Sequence, residues 1–225
     1  MVIGNGLLAK GFKNSNYNFD DYIIFTSGVS NSKENDIKEF EKEKKLLLKV
    51  INENNSLKLI YFSSILVINS ENNYYRHKLE VEDLIKKNSD NYIIFRVPQI
   101  VGKVGNPNNL VNFIKNSIIN KYKIDIYGDV ERSLIYINDL VNITFYCFDK
   151  VNSKTLFLSG LEKIRVIDLC DIIGDILNIK PIYDKINNEK NDKWVFENSD
   201  LINESINKNG ISKSGYTKKI LKYII

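Results

Sequence analysis

Val2-Ile3-Gly4-Asn5-Gly6-Leu7-Leu8-Ala9 is the stretch on which the fold is decided. Two apolar residues end on a glycine, a second glycine follows one residue later, and a small residue closes the motif. This is G-x-G-x-x-A set directly after a strand and opening a helix. Gly4 permits a tight turn, and Gly6 lets the backbone approach a pyrophosphate, whose charge favours a helix N-terminus. Ala9 allows helix and strand to pack closely. Taken alone, a plain glycine turn would look the same; the position at the start of a strand-helix unit strengthens the reading.

Outward from this motif, apolar strands alternate with helical patterns. Residues 22–26 (YIIFT) form an apolar run ending in Ser27-Gly28. Residues 37–52 read as a helix, with Ile37, Phe40, Leu47, Val50 and Ile51 near the 3.6-residue period. Residues 58–62 form a strand running into Ser63-Ser64, and residues 75–87 a helix with Leu79, Val81, Leu84 and Ile85 apolar. A strand at Tyr92–Val97 is stopped by Pro98, and Leu110–Ile119 is helical. Continuous apolar strands with helical crossovers predict an α/β protein with a parallel sheet covered on both faces. Ligands on such sheets sit at the carboxyl ends of the strands. That rule points to residues 4–6, Ser27-Gly28, Ser63-Ser64 and residues 98–102.

From about Lys103 the pattern changes. Ile124–Tyr127 and residues 155–158 read as strands, residues 139–148 and Val166–Leu177 as helices, and residues 187–192 (NNEKND) as a polar loop. The division expected is a dinucleotide-binding core over residues 1–103, with residues 104–225 forming mostly a small α/β substrate lobe. Some of its segments return to the core.

Composition narrows the function. With 225 residues, 43% of them hydrophobic, the chain can build a core and is not of the disordered class. A net charge of +4 from 32 basic and 28 acidic residues, thoroughly mixed, argues against a nucleic-acid partner. Cys147 and Cys170 lie in apolar helical patterns and read as buried free thiols in a reducing, cytoplasmic compartment. His77 is the one histidine and there is no C-x-x-C pair, so no metal site is expected. The N-terminus lacks a signal-peptide pattern, and no apolar run reaches about 18 residues, so no membrane partner is expected.

Two further constellations carry chemistry. In Tyr74-Tyr75-Arg76-His77-Lys78 the tyrosine and lysine are four apart and share one helix face. At about 5 Å and an effective dielectric of about 20, an ammonium stabilises a phenolate by roughly 3 kcal/mol. That would bring a phenol from about 10 down toward neutrality, where it can give or take a proton. With 13 tyrosines in the chain the spacing also arises by chance, as surface decoration. Ser64, ten residues before Tyr74, could hydrogen-bond a substrate oxygen or simply serve a turn.

Together these features resemble the extended short-chain dehydrogenase/reductase family, in particular its nucleotide-sugar epimerases, dehydratases and reductases. Gly4, Gly6 and Ala9 match the glycine motif, YIIFTSG the strand that passes under the cofactor, and Ser64, Tyr74 and Lys78 the Ser-Tyr-Lys triad. FRVPQIVGK (residues 95–103) resembles the strand ending in Arg-x-x-x-x-x-Gly. IDIYGDVERSLIYINDLV (residues 124–141) resembles the nucleotide-sugar segment, with an arginine, an aromatic strand and a helix-capping Asp139. LFLSGLEKIRVIDLCDII resembles the segment that follows it.

The resemblance implies a Rossmann-type doubly wound sheet binding NAD(H) or NADP(H) across Gly4, Asn5, Gly6, Leu7, Leu8, Thr26, Ser27, Gly28, Lys78 and Pro98. It implies Tyr74 as acid or base, Lys78 as its activator, and Ser64 as the group orienting the reacting oxygen. Ser64, Gln99 and Arg132 become candidates for a nucleotide-sugar substrate, a guanidinium being well suited to a diphosphate. A homodimer through the helices at residues 37–52 and 75–87 is a further expectation.

Three departures qualify the match. The glycine motif is one residue shorter than the usual G-x-x-G-x-x-G. Ser64 is followed by Ile65-Leu66-Val67 where 4,6-dehydratases carry Thr-Asp-Glu, which disfavours dehydration. Only 17 residues separate Gly4 from Tyr22, where the family has two further strand-helix units. Asp20 and Asp21 fall near the place of the ribose-binding acid but begin a strand rather than end one, so the match is coincidental. Half of the usual adenosine pocket is therefore expected to be missing. The alternatives are a non-catalytic cofactor or nucleotide-sugar binder, a degenerate partner of an active homologue, or a protein-interaction domain on the same scaffold.

Overall fold

A computed structural model describes residues 1–68, 72–103, 109–127, 130–186 and 197–225. In chain order the first half runs β1 (Val2–Ile3), α1 (Leu7–Lys13), β2 (Tyr22–Phe25), α2 (Ile37–Glu53), β3 (Lys58–Ser64), α3 (Asn73–Asn88), β4 (Tyr92–Val97) and β5 (Gln99–Val101). The second half follows with α4 (Leu110–Ile119), β6 (Ile124–Tyr127), β7 (Glu131–Tyr136), α5 (Ile137–Phe145), β8 (Lys154–Phe157), β9 (Lys163–Arg165), α6 (Val166–Leu177), β10 (Tyr183–Ile186), α7 (Asp200–Lys208) and α8 (Tyr216–Ile224).

The architecture is α/β. A five-stranded parallel sheet in the order β1-β2-β3-β4-β8 forms its centre. The centres of β2, β3 and β4 are continuous apolar runs, as burial on both faces demands. Ile23, Phe25, Leu59, Tyr61 and Ile94 face α2 and α3, against Leu47, Val50, Ile51, Val81 and Ile85. Tyr22, Ile24, Ile60, Phe62 and Phe95 face the other way, against Phe12 of α1 and a larger core that takes in α4, α5 and α6. The second half adds a three-stranded sheet, β5-β7-β9, and a two-stranded parallel pair, β10-β6. Among the described residues no helix is long and apolar enough to cross a membrane.

The strand order runs one way only. α1 and α2 each carry the chain one strand further in the same direction, yet they lie on opposite faces of the sheet. Their crossovers therefore have opposite hands. Right-handed crossovers are the strong rule. On α1's face a right-handed crossover would lead to the far side of β1, where the described residues place no strand. The chain instead turns back through residues 14–21 into β2. The reversal of strand order that opens a crevice in a doubly wound sheet is thus missing at β1.

Two expectations are corrected here. Ile37 does not join the buried face of α2; it is 71% exposed at the first turn, and the inward stripe is Phe40, Glu43, Leu47, Val50 and Ile51. Asp139 does not cap α5, which starts after Tyr136 without a side-chain cap. Asp139 sits in the first turn and accepts a 2.6 Å hydrogen bond from the Tyr216 hydroxyl, which ties α8 to α5. Cys147 and Cys170 are free and buried. The polar loop at residues 187–192 lies outside the described residues.

Candidate active site

The parallel register aligns the strand ends. Ile3 lies opposite Phe25 and Phe25 opposite Tyr61, so Gly4 and Thr26 leave the sheet side by side. β3 and β4 continue together to Ser64 opposite Val97, about 10 Å further along at 3.3 Å per residue.

At the first of these ends Gly4 has φ +127°, and a Cβ there would meet Thr26 Oγ1 at 2.7 Å. Thr26 Oγ1 in turn donates to the Ile3 carbonyl at 2.6 Å, stitching the two strand ends together. Gly6 has open space where its Cβ would stand, and it precedes α1 with no side-chain cap. Lys13 folds back from the end of α1, its Nζ donating to the Gly4 carbonyl at 2.8 Å and to Asn5 Oδ1 at 3.4 Å. The side chains of Leu7 and Leu8 pack against the core, Leu7 directly against Gly102.

The second strand end covers a buried charge cluster. Glu43 of α2 is 3% exposed and is held from four sides. Lys78 Nζ donates to Oε1 at 3.0 Å, the Tyr61 hydroxyl to Oε1 at 2.9 Å, and the Val29 amide to Oε2 at 2.8 Å; His77 Nε2 lies 2.8 Å from Oε2. Lys78 Nζ also donates to the Tyr61 oxygen at 3.1 Å. Gly28 packs straight onto this pair: a Cβ would fall 2.7 Å from both Glu43 Oε1 and Lys78 Nζ. Burial alone would raise the Glu43 carboxyl. The Lys78 ammonium and the hydrogen bonds from His77, Val29 and Lys78 outweigh it and bring it down to about 2.

Tyr74 stands at the start of α3, with Lys78 Nζ 5.7 Å from its ring centroid. The pair therefore shares a helix face, but Lys78 makes its hydrogen bonds to Glu43 and Tyr61. Burial, and then the Glu43 carboxylate, push the Tyr74 phenol upward. The expectation that Lys78 acidifies Tyr74 is corrected for the protein as it stands. The ammonium is neutralised by a carboxylate that apolar periodicity does not register. Tyr75 packs edge-on against Tyr74, with ring centroids 5.0 Å apart. Burial and Tyr74 push Tyr75 up to about 12, while the charge of Arg132 pulls it down.

Ser64 Oγ accepts from the Leu66 amide at 3.2 Å and so opens the 3-10 turn Ile65–Ile68. This is the turn role, and it leaves the hydroxyl proton for another acceptor. Its neighbour Ser63 is buried with an unpartnered hydroxyl. Arg132 lies on β7, half-buried, with Nη1 donating to the Glu131 carbonyl at 2.7 Å. Gln99 begins β5, opposite Leu134 of β7, and Pro98 joins β4 to β5. Arg96 makes a bidentate pair with the fully buried Glu82, Nε–Oε1 2.9 Å and Nη2–Oε2 2.6 Å, bracing β4 to α3.

Glu43, Tyr61 and Lys13 were not singled out by sequence reasoning, and His77 was weighed there only as a metal ligand. For Glu43 a signal existed: it occupies the i+3 position between Phe40 and Leu47 on an otherwise apolar stripe. A lone acid there demands a buried cation.

No family model matches the chain, and no curated protein matches it. Solved structures do. A dTDP-glucose 4,6-dehydratase from Bacillus anthracis in complex with NAD superposes with a TM-score of 0.70 at 13% identity, over 91% of this chain and 71% of that one. UDP-glucose 4-epimerase from Thermotoga maritima with UDP-glucose gives 0.69 at 15%, over 90% and 75%. A dTDP-4-dehydrorhamnose reductase from Bacillus anthracis in complex with NADP gives 0.69 at 18%, over 91% and 78%. At these identities the likeness shows the fold: a shortened Rossmann sheet of the kind found in extended short-chain dehydrogenases/reductases. These three neighbours carry three different reactions on that one fold.

Proposed function

We propose that the chain is an NAD(P)-dependent oxidoreductase acting on a nucleotide-linked sugar, by 4-keto reduction or by epimerisation through a transient ketone. The observation that carries this reading is the meeting of Tyr74, Lys78 and the Gly28 backbone at the strand ends, one strand over from an open glycine turn.

The residues present fit the pyrophosphate and nicotinamide of such a cofactor. Gly6 is open, and the Lys13 ammonium lies on the carbonyl of the turn. Asn5 and the amides of Leu7 and Leu8 complete that end. Thr26, Ser27, Gly28 and Pro98 would line the nicotinamide half, with Lys78 below it. A bound nicotinamide supplies or accepts the hydride. The chain's own share is the proton: Tyr74 Oη donates to the carbonyl oxygen as the C–H bond forms and regains a proton from water. Ser64 offers its hydroxyl proton to the same oxygen. Arg132 and Gln99, carried on β7 and β5, would hold the nucleotide diphosphate, and the second half of the chain would form most of the substrate lobe. A homodimer through the outer faces of α2 and α3 belongs to the same reading and would cover Ile37.

The test is turnover of a 4-keto sugar nucleotide by Tyr74→Phe. Loss of the proton donor should cost about 10²- to 10⁴-fold in rate while cofactor binding persists. Unchanged turnover would remove Tyr74 from the chemistry.

A further inference from the structure

Glu43 is a charged residue sealed inside a helix-sheet interface whose apolar contacts come from the stripe of Phe40, Leu47, Val50 and Ile51. What the carboxylate does is claim an ammonium. Every hydrogen bond of Lys78 goes to the α2–β3 side, to Glu43 at 3.0 and 3.3 Å and to Tyr61 at 3.1 Å. Glu43 is itself fixed by Tyr61 from β3, Val29 after β2 and His77 from α3, so it has no freedom to swing away.

We infer that Glu43 is a positioning residue: it holds Lys78 as a neutral pair beneath Gly28 and thereby keeps Tyr74 a proton donor, suited to reducing a ketone. This deepens the reaction proposed above and rests on it for its catalytic meaning. Reduction needs a phenol that arrives protonated, gives its proton to the carbonyl oxygen and is refilled by water. Epimerisation starts by taking a proton from an alcohol, which an uncompensated lysine beside Tyr74 would favour. The burial of Tyr74 and the negative charge behind it act in the same direction. The titratable and charged groups around this site are Glu43 from α2, Tyr61 from β3, Tyr74, Tyr75, His77, Lys78 and Glu82 from α3, and Arg132 of β7, whose charge acts on Tyr75.

The test follows the Tyr74 phenol by NMR of ¹³Cζ-labelled tyrosine, assigned with Tyr74→Phe, without cofactor or substrate. In Glu43→Gln the phenol should titrate at least one pH unit lower than in the wild type, and adding Lys78→Met should abolish most of that drop. Equal midpoints in wild type and Glu43→Gln, or the same drop with Lys78 removed, would reduce Glu43 to a structural residue. Should Glu43→Gln fail to fold, Glu43→Asp keeps the charge but draws it back by one methylene. A smaller drop in the same direction is then expected, and no drop overturns the inference. Because the titration involves no turnover, its failure leaves the reaction class standing; inactivity toward keto-sugars leaves the titration standing.

Discussion

The two ends of the candidate cofactor groove are built to different degrees. On the β2–β3–β4 side, strands of four to seven residues are covered on both faces, and their ends carry Ser64, Gly28 and the buried Glu43–Lys78 pair. At β1 the sheet stops after a strand of two half-buried residues, with no described strand beyond. The crossover of opposite hand at α1 is the geometric mark of this. The chain returns to β2 where a right-handed path would have continued outward. A doubly wound sheet owes its dinucleotide crevice to the point where strand order reverses, with one mononucleotide on each side. Among the described residues only one of those sides has its strands. The contrast teaches that proton chemistry and cofactor grip would be separable: the residues proposed to handle a proton are braced by two helices, whereas among the described residues the half that would read an adenosine ribose has no strand to carry it.

The largest expected effect lies on the braced side. Lys78→Met leaves Glu43 as an unpaired charge in the core and should cost about 3–5 kcal/mol in urea unfolding. Replacing both partners, Glu43→Leu with Lys78→Met, should recover most of that loss. A cost below about 1 kcal/mol for the single change would mean that the pair is in effect solvated, and the comparison would lose its first term.

Acid stability comes next. The Glu43 carboxyl is held at about 2 against an ordinary 4.5. A depressed carboxyl contributes in full above its unfolded value and loses that contribution as pH falls through its folded one. The window is therefore pH 4.5 down to about 2, and the contribution at neutral pH is on the order of 3 kcal/mol. Thermal melting across that range should show a steep loss in wild type and a shallower one in Glu43→Gln. Parallel curves would contradict the assignment.

Much of the fold was legible in the apolar runs. β4, α4, β6 and α6 fall on the residues that periodicity and punctuation mark, and the missing strand-helix units could be read from the short gap before Tyr22. The three-residue strands β5 and β9, together with β10, α7 and α8, were not legible. Strands this short carry too few alternations to stand out; β10 is a four-residue strand with two charged residues at its centre, and α8 breaks its apolar residues with three lysines. The site was half legible. The resemblance picked out Ser64, Tyr74 and Lys78 as candidates, and Tyr74 and Lys78 do lie side by side, but their electrostatics were not legible. The inward faces of α2 and α3 include Glu43, His77, Lys78 and Glu82, and a period counted on apolar residues passes over all four. Ile37 erred the other way, as an apolar residue in phase with the stripe that stays exposed at the first turn of α2.

The smallest expected effect is also the most direct test, a difference between cofactors that should nearly vanish. Binding of NADPH, NADH and reduced nicotinamide mononucleotide can be compared by calorimetry on the intact chain. With no described strand beyond β1 to carry an adenosine pocket, all three should bind with dissociation constants within about tenfold, or 1.4 kcal/mol, of one another. Failure of all three to bind, or a preference of a hundredfold or more for a dinucleotide over the mononucleotide, would contradict the account.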